Sequence, residues 1–371
     1  MTATQEAVPP GLLDELLAEL ETPAAKARTT GPDPKISVYL ENLGWAQLFG
    51  YDMNRYYDEP PFQLEMNLRH KLYHLRTFAD DNPVGSGMEA TVGMYWDFTL
   101  LGMAVRHQPD GVPIIQDDHP MRRDPDLRLL PRHDFATSGE MPRLFSHYEE
   151  LKRLTQDRVP ISFPTWQRGP LDMAMQLRGY EQLVSDMSER PQFVHDLLRF
   201  LVEQRMHWWD AYCERFGVTT RHAGIADDWI NVPFISPAIF RDFLLPRYLE
   251  LEEYHEKIWG LHSCGDQVPV QHLMLQLKTL GGFEVNPWTD LEATLRNVPA
   301  DKFLGVSIKN VDVLLFSDEE IEQQLGRIRR LCTGRSYNVT AQALQRVHAD
   351  IHDDMRRTQH WIEVARRVLQ G

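Results

Sequence analysis

The sequence predicts an α/β fold, a single (β/α)8 TIM-like barrel with an extra N-terminal helix. Short apolar runs of strand length alternate with longer amphipathic stretches, a pattern typical of parallel strands joined by helices. Eight such runs follow residue 34, which favours a closed barrel over an open sheet. The chain has 371 residues and 42% hydrophobic content, enough to bury one large core.

The first 34 residues are predicted to be an appended helix and linker. Leucines recur at helical spacing within residues 11–21, and a polar segment runs from Pro23 to Pro34. We therefore expect a helix packed on the outside of the main domain. The predicted division is residues 1–34 for the helix and linker and residues 35–371 for the barrel.

The barrel elements follow from the apolar runs and the helical stretches between them. The predicted strands are Ile36–Leu40, Val112–Ile115, Val159–Phe163, His222–Ala226, Lys257–Leu261, Gly282–Val285, Phe303–Val306 and Ser336–Val339. The predicted helices include Pro61–Phe78, Met141–Leu154, Pro191–Phe216, Pro237–Glu256, Val268–Lys278, Asp318–Cys332 and His348–Leu369. Such barrels carry their chemistry at the carboxyl ends of the strands.

Charge and cysteine content narrow the class of protein. The formal charge of −15, from 39 basic and 54 acidic residues, argues against binding to nucleic acid. No apolar run reaches the roughly 18 residues of a membrane span, and the N-terminus lacks a secretory signal pattern. Three widely spaced cysteines, Cys213, Cys264 and Cys332, fit a reducing compartment. We expect a cytoplasmic enzyme with a small-molecule substrate, and a homodimer as the default assembly.

The segment from His262 to Asp266 carries the strongest chemical signal. His262 and Cys264 lie at the end of the predicted strand Lys257–Leu261, and alternate strand residues point the same way. Imidazole and thiolate are ligands that zinc prefers. A buried cysteine beside a hydrogen-bonded histidine is the structural alternative for so short a motif.

Acidic residues follow the neighbouring strands. Glu284 lies on the next strand and would be costly to bury without a partner, so His262, Cys264 and Glu284 are the predicted metal ligands. Asp227 and Asp228 follow the strand ending at Ala226 and are the predicted catalytic acids or bases. A helix cap or turn would explain this aspartate pair equally well.

Aromatic and polar side chains at the strand ends are candidates for substrate binding. Trp166 and Arg168 precede Gly169-Pro170, a helix start whose backbone N–H groups can face an anion. Trp229 follows the aspartate pair, and Gln342 follows the last predicted strand. We expect these four residues to line the mouth of the barrel.

The order of these motifs resembles the uroporphyrinogen decarboxylase superfamily, from about Pro34 to the C-terminus. The motifs are Leu43-Gly44 through Pro60, Gly169-Pro170-Leu171 with Leu177 to Glu181, Ala226-Asp227-Asp228, Ile235-Ser236-Pro237 to Pro246, His262 to Asp266, and Lys309 to Leu315. The resemblance implies a TIM-like barrel. It is strongest to the branch of zinc-dependent methyltransferases that act on methyl-corrinoids and thiols.

Two departures bear on the activity that the resemblance implies. Porphyrinogen decarboxylases carry an arginine-rich segment after the first strand, whereas Val38 to Gly44 contain no arginine, so porphyrin decarboxylation is not expected. The methyltransferases usually supply a further cysteine from the last strand, and Tyr337 to Gln342 contain none. Glu284 matches by spacing a glutamate that approaches zinc in related barrels such as cobalamin-independent methionine synthase.

The resemblance therefore implies a zinc-dependent enzyme that activates a thiol or similar nucleophile for methyl transfer. The chain has no D-x-H-x-x-G corrinoid motif, so a methyl-corrinoid would arrive on a partner protein, or the methyl donor is another molecule. Two alternatives stay open. One is a lyase or decarboxylase acting on a small carboxylated substrate, with Asp227 and Asp228 in acid-base roles. The other is a barrel that binds a ligand without catalysis.

Overall fold

Eight parallel strands and one antiparallel hairpin form the sheet structure of this computed structural model, which describes residues 8–9 and 11–371. The strands are β1 Lys35–Leu40, β2 Met88–Glu89, β3 Val105–Gln108, β4 Gly111–Ile115, β5 Ile161–Ser162, β6 Ala223–Ala226, β7 Ile258–His262, β8 Gly282–Val285, β9 Phe303–Ile308 and β10 Tyr337–Leu344.

The parallel strands follow one another in the order that the sequence predicts for a (β/α)8 fold. Parallel ladders join β2 to β5, β6 to β7, and β8 through β9 and β10 to β1. A parallel bridge between Arg168 and Ala226 continues the β5 side onto β6, and β7 lies beside β8. Within the described residues, no ladder joins β7 to β8 or β1 to β2. A mixed α/β fold is therefore established, and full closure of the barrel stays a prediction.

One predicted barrel strand was wrong. Val112–Ile115 belongs to β4, which pairs antiparallel with β3 across the two-residue turn Pro109-Asp110 and takes no part in the parallel set. The parallel strand missed by the sequence is β2, which has only two residues in ladder geometry. A strand this short produces no apolar run of its own, whereas the hairpin strand does.

The helices lie between the strands, and most predicted ranges agree closely; the exception is Val268–Lys278, where a 3₁₀ turn over Val268–Val270 precedes a helix of four residues. They are α1 Leu12–Leu20, α2 Pro23–Ala27, α3 Asn42–Phe49, α4 Met53–Asp58, α5 Pro60–Thr77, α6 Trp96–Thr99, α7 Met141–Thr155, α8 Pro170–Arg178, α9 Tyr180–Glu189, α10 Pro191–Phe216, α11 Pro237–Ile239, α12 Leu245–His255, α13 Gln271–Met274, α14 Leu291–Asn297, α15 Asn310–Leu315, α16 Asp318–Leu331 and α17 Ile351–Leu369. A π-helical stretch, Phe240–Leu244, joins α11 to α12, so the predicted helix Pro237–Glu256 is continuous but not regular.

The N-terminal segment packs through its leucines. Leu12 and Leu16 of α1 are buried in a cluster that includes Leu64, Leu68 and Leu72 of α5. Residues 1–7 and 10 of the predicted N-terminal unit lie outside the described residues. The division at residue 34 stays a prediction. Among the described residues, no helix combines the length and the apolar character that crossing a membrane requires.

Side chains alternate along the strands, so that one face of the strands packs against the helices and the other does not. Ile225, Leu261, Phe283 and Val306 are buried in the large cluster that the strands form with the surrounding helices. Their strand neighbours point to the opposite face of the strands. One irregularity matters: Ala223 pairs with Ile258 but Gly224 pairs with Gly260, so Trp259 is an extra residue, a β-bulge.

Candidate metal and substrate site

His262 is the last residue of β7, and its two ring nitrogens face different partners. Nδ1 lies 2.5 Å from Oε2 of Glu284, on the adjacent strand β8. Nε2 lies 3.4 Å from the Cys264 sulfur and 3.4 Å from Oδ1 of Asp228. While no cation is bound, both ring nitrogens carry a proton; a cation at Nε2 would replace the proton there and leave a neutral ring that donates from Nδ1 to Glu284.

Asp228, His262 and Cys264 bring three candidate ligand atoms together. One nitrogen, sulfur or oxygen atom from each residue lies within 4.8 Å of those from the other two. This is the one such group of three found in the described part of the chain. Cys264 is exposed, and the other two side chains are half-buried. Glu284 is not in this group, because its carboxylate is on the Nδ1 side of the imidazole.

The loop after β7 is held in place by amide side chains. Asn231 donates to the Asp228 carbonyl at 2.6 Å and to the Ser263 hydroxyl at 3.1 Å. Asn286 donates to the carbonyls of Ser263 and Gly265 at 2.9 and 2.6 Å. A Cβ atom on Gly265 would come within 2.2 Å of Oδ1 of Asn231, so this position requires glycine.

The charges at the site are strongly coupled. Arg168 is buried and pairs with both Asp228 and Asp172, the latter at 3.1 Å. Burial works to raise the pKa of Asp228, but the hydrogen bond from His262 and the charge of Arg168 outweigh it and lower the pKa to about 2. Burial works to lower the pKa of His262, but its acidic neighbours and the Cys264 thiol raise it to about 12.

Asp227 has different surroundings from its neighbour. Its side chain is fully buried and accepts hydrogen bonds from the backbone N–H groups of Leu171 and Asp172, at 2.9 and 2.7 Å, at the start of α8. The Tyr248 hydroxyl donates to it at 2.6 Å. Gly169 makes room, since a Cβ there would come within 2.3 Å of the carboxylate. The Asp227 carboxylate thus holds the start of α8 and is not one of the three candidate ligands, while its backbone N–H donates to the His262 carbonyl at 2.9 Å.

The four predicted substrate-binding residues are spread around the strand ends. The Arg168 guanidinium stacks on the exposed Trp166 ring at 4.5 Å and lies 5.5 Å from the Tyr95 ring. Trp229 donates to Asp172 at 3.0 Å and packs against Tyr180 and Phe234. Gln342 is exposed on β10, and within residues 8–9 and 11–371 its side chain makes no hydrogen bond.

Several contributing residues were missed by the sequence analysis. Asp172 binds Arg168 and Trp229, and Asp97 accepts the Arg168 backbone N–H at 2.7 Å. Both aspartates lie in helices that follow strands and not at the strand ends themselves, so the rule used for Asp228 did not select them.

A cavity of about 240 Å³ lies along β6 to β9 and is lined in part by His262 of the candidate site. His262 and Glu284 line one end of it, and Trp166, Trp259 and Phe303 line its sides. Cys213 and Cys332 lie elsewhere and are buried, and burial raises the pKa of each thiol. Cys264 is therefore the exposed one of the three cysteines, and its sulfur lies 3.4 Å from Nε2 of His262, which lines the cavity.

Comparison with known proteins agrees with this architecture. The family model described as uroporphyrinogen decarboxylase (URO-D) matches residues 91–339. Among solved structures, a "methyltransferase from Methanosarcina mazei" is similar, with a TM-score of 0.62, 15% sequence identity, and coverage of 94% of this chain and 98% of that chain. At this identity the similarity concerns the fold alone. A search of curated protein sequences gave no match.

Proposed function

Because the chain belongs to the uroporphyrinogen decarboxylase family, we propose that it is a methyltransferase-like enzyme with a closed TIM-type barrel, in which zinc activates a thiol or similar nucleophile for methyl transfer. The observation that carries this proposal is the convergence of Asp228, His262 and Cys264 at the carboxyl ends of β6 and β7. Catalytic zinc sites typically have three protein ligands, drawn from nitrogen, sulfur and carboxylate oxygen, and keep a fourth position open.

The donor set fits zinc better with Asp228 than with Glu284. The sequence alone favoured His262, Cys264 and Glu284, but the Glu284 carboxylate lies against Nδ1, the nitrogen that faces away from Cys264. Asp228 takes the place of the cysteine that the last strand lacks. We therefore assign Glu284 to orienting His262, in the arrangement of carboxylate, histidine and metal that recurs in zinc proteins.

Zinc held by these three groups would supply a Lewis acid that lowers the pKa of an incoming thiol. The residues of the chain do the positioning. Arg168 holds the Asp228 carboxylate and keeps it ionised, while Asn231 fixes the backbone between Asp228 and Ser263. Asp227 anchors α8 beneath Arg168 through the backbone of Leu171 and Asp172, a positioning role.

The substrate is a small molecule that enters the cavity beside His262. The methyl group comes from outside the chain, either on a corrinoid protein partner or on a small donor, because the sequence has no corrinoid motif. Trp166, Trp229 and Gln342 are proposed to contact the substrates at the strand ends. Arg168 contacts them indirectly, through Asp228 and the Trp166 ring.

The lyase alternative depends on two acid-base aspartates. Both oxygens of Asp227 accept hydrogen bonds within the fold and its side chain is fully buried, so Asp228 alone would have to transfer protons. Burial raises the pKa of Asp227, as a general acid requires, but its carboxylate is fully buried against the start of α8 and Tyr248. A lyase needs no thiol acceptor, which gives a direct way to separate the two.

The decisive experiment combines metal analysis with a transfer assay. We expect protein purified without added metal to contain close to one zinc per chain and to consume free methylcobalamin only when a thiol is present. Cys264→Ala and Asp228→Ala should lose both zinc and transfer, while Cys213→Ala, a buried cysteine far from the site, should keep both. Absence of zinc from thiol-reduced protein, together with absence of thiol methylation, would overturn the proposal.

A further inference from the structure

The cavity below His262 exists because side chains are missing from one layer of the barrel. Gly224, Gly260, Gly282 and Gly305, on the four neighbouring strands β6 to β9, all line it. In TIM barrels these inward positions normally carry bulky branched residues that fill the interior. Nothing lies within 4 Å of a Cβ atom built on Gly260, so the space there is open. The interior of this barrel is therefore hollow where most are packed.

Aromatic rings take the place of the missing aliphatic layer. The bulge in β7 turns Trp259 inward, where its indole lies so close over Gly224 that a Cβ there would meet the ring at 2.5 Å. Trp259 nevertheless stays 59% exposed, and Trp166 and Phe303 are also exposed among the lining residues. Three accessible ring systems thus border one small cavity.

The charges around the cavity are unfavourable to an anion. Glu284 contributes a carboxylate to the lining, and its partner His262 is also held by Asp228. The nearest arginine, Arg168, stacks on Trp166 but is already paired with Asp172 and Asp228. Among the described lining residues, no lysine or arginine is present. The positive charge of the protonated His262 ring is balanced by Glu284 and Asp228, which both pair with it, so the described lining holds no unpaired cation. Aromatic faces beside such carboxylates are surroundings that a cation prefers.

We propose that this cavity binds a small methylated ammonium group, held against Trp259, Trp166 and Phe303 with Glu284 at its upper end. The volume of about 240 Å³ indicates a small occupant, since sites for drug-sized ligands span roughly 300–1,000 Å³. Quaternary ammonium groups are recognised by aromatic cages in this way. The proposal rests on the proposed function, of which it names the methyl donor.

A methylated ammonium is chemically suited to that role. The thiolate electron pair forms the new sulfur–carbon bond, the carbon–nitrogen bond breaks, and its electrons stay on nitrogen. The leaving group is then a neutral tertiary amine, and no oxidant or reductant is needed. The cavity is lined by His262, one of the three residues of the ligand group, whose Nε2 lies 3.4 Å from the Cys264 sulfur.

Calorimetric titration with choline and with 3,3-dimethyl-1-butanol tests the inference, because the two have the same shape and differ in the charge of one atom. We expect choline to bind at least about tenfold more tightly, in keeping with the strength of cation–aromatic contacts. Trp259→Leu should weaken choline binding about tenfold. Gly260→Leu should abolish it by filling the cavity, since nothing lies within 4 Å of the new Cβ atom. Trp288→Leu, which removes an equally exposed tryptophan outside the cavity, should leave it unchanged.

Equal binding of the two compounds, or choline binding that survives Gly260→Leu, overturns the inference. Absence of choline binding to wild-type protein with normal thermal unfolding overturns it as well. Gly260→Leu keeps the test decisive should Trp259→Leu fail to fold. Choline binding without thiol methylation would contradict the proposed function alone, and zinc-dependent thiol methylation from methylcobalamin without choline binding would contradict this inference alone.

Discussion

The Glu284 carboxylate lies 2.5 Å from Nδ1 of His262, on the side of the ring away from Cys264. This contact fixes which nitrogen is free for a ligand. We predict that Glu284→Gln keeps close to one zinc per chain but lowers zinc affinity about 10–100-fold, the usual effect of losing such a carboxylate. Competition with a chromophoric chelator measures this affinity, with the surface variant Glu292→Gln as control. Complete loss of zinc would instead make Glu284 a direct ligand.

Asp227 is predicted to stabilise the fold and to take no direct part in catalysis. Asp227→Ala leaves two backbone N–H groups of α8 and the Tyr248 hydroxyl without their acceptor, at a cost of about 3 kcal/mol or more in the free energy of unfolding. Tyr248→Phe removes one of these bonds and should cost about 1 kcal/mol. Urea denaturation gives both values. A fully stable Asp227→Ala protein that had lost activity would return Asp227 to a catalytic role.

Gly265 is predicted to be essential for the geometry of the ligand group. In Gly265→Ala the new methyl group would displace Asn231, which binds both the Asp228 carbonyl and the Ser263 hydroxyl. We expect zinc binding to weaken at least tenfold, as for loss of another supporting contact. Gly85→Ala is the matched control, since nothing lies within 4 Å of its Cβ position. Equal zinc affinity in the two variants would show that the loop tolerates the shift.

Glu89 is predicted to make stability depend on pH. It points away from the buried Met88, and within residues 8–9 and 11–371 it has no ion pair or hydrogen bond. Its side chain reaches solvent, but the surrounding protein desolvates the carboxylate and raises its pKa to about 7. The unfolded value is about 4.3. The folded state therefore holds the proton longer, and stability falls as pH rises from about 4.3 to 7.

The variant Glu89→Gln removes this titration. We expect it to match the wild type below pH 4 and to become progressively more stable than it up to pH 7, with a constant difference above. Thermal unfolding at a series of pH values provides the comparison, and Glu203→Gln on the exposed side of α10 is the control. A difference that shrinks as pH rises would contradict the assigned direction of the shift.

Features that depend on residues close together in the sequence could be predicted from the sequence alone. His262 and Cys264 were expected at a strand end and are found there, and α10 has the predicted range Pro191–Phe216. Strand β2 was missed because two residues give no periodicity. The inward turn of Trp259 depends on a bulge, which strict alternation cannot predict.

The site itself was only partly predictable. Acidic residues at strand ends do not indicate which imidazole nitrogen each carboxylate contacts. The roles of Asp228 and Glu284 could therefore be assigned only from the structure. Similarly, Asp227 and Asp228 are adjacent in sequence, but strand geometry sends one to the backbone of α8 and the other to Arg168.

The glycine-lined interior also determines how the protein can acquire new specificity. At Gly260 and Gly305 a methyl group would meet at most ordinary van der Waals contact, so single substitutions there can reshape the chamber. The apolar residues that hold the strands to the helices point the other way and are untouched by such changes. Under the proposed function, stability and substrate selection would depend on opposite faces of the same strands, so that substitutions could alter one without the other.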